Sequence, residues 1–241
     1  MADIFTEQNG KVTNRMFSIK LLTPDPNELN YQKILKWQEN LNISFQKQFP
    51  YASTVCPEPE KQKQDFFVIH HKKNYRSITV SSNHIQYDDK KITETVFKNI
   101  SKRLYDLYVG DRKVDLKKIQ LVGTVCDIQY KGEGLFSDFR ERYGFYPGEG
   151  DLKMIELRTK FIRDKFNIHL YLFSDISVND DDDDDDVQND KDKIYVKIDI
   201  NNTEQTKGIS DGTCNDVVEY SKKFIADELL DILNSKIINL E

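Results

Sequence analysis

Ile194-Tyr195-Val196-Lys197-Ile198-Asp199-Ile200 alternates strictly between apolar and polar side chains. A period of two puts the even-numbered residues on one face of a strand and the odd-numbered ones on the other. The segment therefore reads as a half-buried strand with a dry side and a wet side. Upstream of it, Ile168, Leu170 and Leu172 repeat the alternation, as do Ile155, Leu157, Thr159 and Phe161. Further upstream, residues 119–130 read as one long strand and Leu135 to Arg140 as a short helix. Downstream, after a polar loop, Val217, Val218, Phe224, Ile225, Leu229, Ile232 and Leu233 fall at helical spacing and predict a final helix over about 216–233.

That order of elements, strand, helix, three strands, helix, occurs earlier in the chain as well. Phe17, Ile19 and Leu21 mark a first strand. Tyr31, Ile34, Leu35, Leu41 and Phe45 share one stripe of a helix expected over 28–47. Residues 51–64, with two prolines and a charged cluster, read as an exposed loop. Phe66-Phe67-Val68-Ile69 is apolar throughout and reads as a central strand, followed by strands around Ile78 and Val80 and around Ile85 and Tyr87. Asp88-Asp89 reads as the opening of a helix over 91–108, whose stripe includes Val96, Phe97, Ile100 and Leu104.

The duplication predicts an α+β fold made of two β-α-β-β-β-α halves, residues 16–112 and 113–241, behind a flexible leader 1–15. Short turns between successive strands make the sheet or sheets mainly antiparallel and curved, with helices packed on one face. In plan this is similar to the saddle-shaped domains of TATA-binding-protein type, an analogy of fold and not of function.

Charged residues make up 32% of the chain and hydrophobic ones 38%, and no apolar run approaches the roughly 20 residues a membrane helix needs. Met1-Ala2-Asp3-Ile4-Phe5 has neither the basic start nor the apolar core of a secretory signal. Cys56, Cys126 and Cys214 are odd in number and scattered, which favours a reducing, cytoplasmic setting and a role as small buried apolar groups. Without a CxxC pair, and with only His70, His71, His84 and His169, no metal site is expected. The pairs Gly132/Gly134 and Gly148/Gly150 match neither a dinucleotide fingerprint nor a phosphate loop, so no cofactor is expected. The net charge of -6 is set by seven consecutive aspartates, Asp180 to Asp186; without them the chain carries +1. Such a run repels itself, and 179–192 is expected to be a disordered acidic loop rather than a calcium site, which needs spaced ligands and a glycine turn.

Two groups of residues could bind a ligand or partner. Arg140, Arg142, Tyr143 and Tyr146 combine guanidinium groups with flat rings beside a glycine-rich loop, the chemistry of a phosphate or stacked-base site. Arg158, Lys160, Tyr195 and Lys197 lie on wet strand faces and would form a cationic strip if their strands were adjacent. For hydrolysis, Asp127, Glu156, Asp164 and Asp199 would have to converge in one pocket. No nucleophile is distinguished by its surroundings.

Phe49-Pro50-Tyr51, Arg76-Ser77-Ile78-Thr79-Val80-Ser81-Ser82, Ile85-Gln86-Tyr87, Val122-Gly123 and the Ile194–Ile200 strand together resemble a sporadically distributed prokaryotic family of uncharacterised proteins of about this length. The resemblance spans most of the chain in order. It brings no activity with it, and patchy occurrence implies accessory genes such as defence or toxin–antitoxin cassettes. The sequence thus leads to a non-catalytic intracellular binding module with a protein partner. Nucleic-acid binding through the open sheet face or the 140–146 loop is the first alternative, and a hydrolase or nuclease the second.

Overall fold

A computed structural model of the chain describes residues 3–21, 39, 52–55, 65–71, 76–81, 84–91, 93–111, 119–143, 154–175, 192–202 and 213–235. Among the described residues, nine strands form one sheet: β1 (Gly10–Leu21), β2 (Ala52–Val55), β3 (Asp65–His71), β4 (Arg76–Ser81), β5 (His84–Asp89), β6 (Ile119–Gly132), β7 (Met154–Arg163), β8 (Phe166–Asp175) and β9 (Asp192–Asn202). The helices among the described residues are α1 (Glu94–Asp111), α2 (Leu135–Arg142), α3 (Thr213–Asp227) and α4 (Leu229–Asn234), together with the helical residue Glu39. The helix expected over 28–47 and the aspartate run lie outside the described residues, apart from Glu39.

The strand order is β2-β3-β4-β5-β1-β6-β9-β8-β7, and every pairing is antiparallel. With β2 set aside, the order reads the same from both ends. Each half places its first strand beside the last of the three strands that follow it, and the two first strands meet at the centre. The duplicated sequence has therefore folded into one shared sheet with a pseudo-dyad between β1 and β6, where Phe17 faces Thr124 and Ile19 faces Val122.

Alternation along the strands fixes the two faces. On one lie Phe17, Ile19, Ile85, Tyr87, Val122, Ile168, Leu170, Leu172, Ile194, Val196, Ile198 and Ile200, all buried under the helices. Tyr87 stacks on Phe97 of α1 at 5.5 Å, and Phe166 on Tyr220 of α3 at 4.3 Å. The opposite face carries no described helix.

Several boundaries differ from the sequence reading. The first strand starts at Gly10, and Phe5 ahead of it is 1% exposed, edge-on to Tyr130 and Phe139, so residues 3–15 belong to the packed body rather than to a leader. Ala52–Val55, expected as loop, is an edge strand, which leaves β3 second from the edge instead of central. Asp192, expected in the acidic loop, begins β9, and its carboxylate accepts the Phe136 N–H at 3.0 Å at the start of α2. The final helix breaks at Glu228, whose carboxylate pairs with Arg163 of β7.

Candidate functional site

The open face is where the wet strand positions collect. Cross-strand register places Arg158 of β7 opposite Tyr171 of β8, and Tyr171 opposite Lys197 of β9, which in turn faces Asp127 of β6. The next row holds Lys160, His169, Asp199 and Val125, and the row on the other side Glu156, Phe173, Tyr195 and Gln129. Strands β7 and β9 are thus not adjacent, as a continuous cationic strip would require. β8 lies between them and inserts aromatic rings among the cations.

The rings are organised. Phe173 stacks on Tyr195 with centroids 5.0 Å apart and an angle of 14°. His169 and Tyr171 lie 28° from parallel at 6.3 Å, and the Arg158 guanidinium sits over the Tyr171 ring at 5.7 Å. The Tyr195 hydroxyl accepts a hydrogen bond from Gln129 Nε2 at 3.0 Å, which fixes that ring from β6. Phe173 is 38% exposed and Ile162, further along β7, 67%. Arg158 is paired with Glu156 at 2.5 Å, but both side chains are well exposed and such a pair exchanges readily with an incoming anion.

The second sequence candidate is engaged differently. Arg142 Nη1 donates to the Asn234 carbonyl at 2.6 Å, and the Tyr143 hydroxyl to the Leu233 carbonyl at 2.7 Å. These are acceptors that the last turn of a helix leaves without an intrahelical donor, so the two side chains close the C-terminal end of α4. Burial pushes the Tyr143 hydroxyl up to about 12, offset in part by Arg142, and keeps it a donor. Arg140 is half-buried on α2, and Tyr146 lies outside the described residues.

The four acids considered for hydrolysis are spread apart. Asp127 faces Lys197, Asp199 faces His169, Glu156 faces Phe173, and Asp164 occupies the β7–β8 turn. Among the described residues no three His, Cys, Asp or Glu side chains group closely enough to hold a metal ion. Cys126 and Cys214 are buried free thiols, both pushed up to about 12 chiefly by desolvation. No described helix is long and apolar enough to cross a membrane.

Sequence reading missed Arg15. It lies in a strand segment taken for leader, on the helix-covered face between Asp89 and Cys126. Its only local signal is a charged residue two positions ahead of Phe17, Ile19 and Leu21, the odd-numbered apolar positions that follow it in the strand. Comparison with protein-family models finds no match, and a search of curated proteins finds none at a significant level.

Proposed function

We propose that this is a non-catalytic binding protein whose contact surface is the open face of β6–β9, and that the occupant is a single-stranded nucleic acid. The carrying observation is the row Arg158–Tyr171–Lys197, bordered by the Phe173–Tyr195 stack. Half-exposed rings such as Tyr171 and Tyr195, beside the exposed Phe173, offer bases a flat platform, and cations spaced between them meet the phosphates, a combination that serves single strands of any sequence. Lys131, Arg158, Lys160, Lys193 and Lys197 outnumber Asp127, Glu156 and Asp199 on the open face of β6–β9, so the local field favours a polyanion although the whole chain is acidic.

A protein partner is the second reading. It is favoured by Ile162, the most exposed large apolar side chain described, and by the tyrosine and arginine content typical of interface centres. Fluorescence anisotropy with a labelled oligothymidylate of about ten nucleotides separates the two. Affinity is expected to fall as salt rises, with a log–log slope of about -2 if Arg158, Lys160 and Lys197 each meet a phosphate. Tyr171→Ala is expected to weaken binding by about fivefold or more. No binding at low salt overturns the nucleic-acid reading and leaves the face to a protein.

A further inference from the structure

Beneath the sheet, at the pseudo-dyad, the first turn of α1, the middle of α3 and strands β1 and β6 enclose a cavity of about 320 Å3. Its sheet side presents Arg15, Thr124 and Cys126, and its walls include Phe97 and Val218. At the rim, Lys98 pairs with Glu219, and Lys222 with Glu94 at 3.3 Å. This region lies on the opposite side of the sheet from the aromatic rows.

Two features of the cavity point to a ligand. Thr124 is 4% exposed, yet its Oγ1 has no hydrogen-bond partner, and Arg15 Nε is likewise buried without one. A buried hydroxyl or guanidinium N–H left unmade costs free energy, so in a folded protein such groups ordinarily meet water or a ligand. Arg15 reaches its carboxylate, Glu94, at only 4.0 Å. Independently, the α1 N-terminus opens here through Glu94, Thr95, Phe97 and Lys98, and the first turn of an 18-residue helix carries unshared N–H groups and partial positive charge. Arg15, Lys98 and Lys222 also exceed Glu94 and Glu219 by one charge.

We infer that this cavity binds a small oxyanion, either inorganic phosphate or the phosphate or carboxylate group of a small metabolite, with Arg15 and Thr124 as donors. An anionic head seated against these two leaves room for a short organic body along Phe97 and Val218, since the volume is at the lower end of small-molecule pockets. Cys126, its thiol kept protonated by burial, has its sulfur within hydrogen-bonding reach of Arg15 and adds no charge.

Isothermal titration of the full chain with inorganic phosphate and, separately, succinate tests the site. At least one anion is expected to bind saturably with one site per chain. Arg15→Gln is expected to weaken that binding by about thirtyfold or more, because it removes a charge-assisted donor. Thr124→Val keeps the shape and is expected to weaken it by about fivefold. The valine variant also removes an unpartnered hydroxyl, so it should unfold no earlier than the parent, and its lost affinity is then a local effect. If Arg15→Gln does not fold, Thr124→Val alone decides. Absence of saturable binding for both anions overturns the inference, as does binding that Thr124→Val leaves unchanged.

Discussion

Asp89 is fully buried and would be costly there without its partners. Arg76 Nε donates to it at 3.1 Å, the Tyr87 hydroxyl at 2.8 Å and the Lys91 N–H at 3.0 Å. Removing the carboxylate strands a guanidinium that is itself mostly buried, so Asp89→Ala is expected to lower stability by about 3–5 kcal/mol in a urea titration. Its neighbour Asp88 points to the open face and behaves differently. Burial holds its carboxyl above the ordinary value of 3.8, hydrogen bonds from Gln86 and Ser77 pull it back, and Asp127 pushes it up again. A carboxyl raised on folding contributes most to stability in acid, and that contribution is lost as pH rises through the raised value. Asp88→Asn is therefore expected to unfold later than the parent at neutral pH, with the gap closing as pH falls toward 3.8 in thermal melts across pH. Local pattern assigned this pair to a helix start, because two acids before a helical stripe are what such a start contains. Register shows otherwise: Asp89 ends β5 beside Arg15 and Arg76, a meeting of three strands that no short window of sequence displays.

Elements were legible where alternation or helical spacing runs long. Strands β7 to β9 and helices α1 and α3 lie close to where the sequence puts them, because each has one wet and one dry side and the pattern records it; β6 also lies where the sequence puts it, although Val122 to Cys126 are buried on both faces. Ala52–Val55 was not legible: four residues at a sheet edge, amid prolines and charges, carry too little pattern. The face assignments of Arg158, Lys160, Tyr195 and Lys197 follow from alternation alone, but that β8 separates their strands is a fact of topology. The N-terminal segment was missed because its anchoring partner is 229 residues away. Asn234 Oδ1 accepts the N–H groups of Ile4 and Phe5 at 3.2 and 3.1 Å, and its Nδ2 donates to the Phe5 carbonyl at 2.7 Å. Asn234→Ala is expected to cost about 2 kcal/mol and to speed amide exchange at Ile4 and Phe5. Tyr143→Phe, which deletes one bond to the end of α4, should cost about 1 kcal/mol by the same titration.

At the scale of the molecule, the long β1–β6 pair is the seam between the halves, and the core runs across it from Tyr87 to Leu172 without a break. Fragments cut between 112 and 113 would each expose a long strand edge and part of that core. They are expected to be soluble and folded only when co-expressed, which size-exclusion chromatography and far-UV circular dichroism would show. The palindromic strand order bears on assembly as well. A chain caught with its seam open presents two edges of equivalent pattern, and a second chain in the same condition offers each of them a native-like counterpart. Reciprocal exchange of C-terminal portions between neighbours would then satisfy every pairing seen in the monomer, so refolding at high concentration should trap interlocked dimers that dilution separates only slowly.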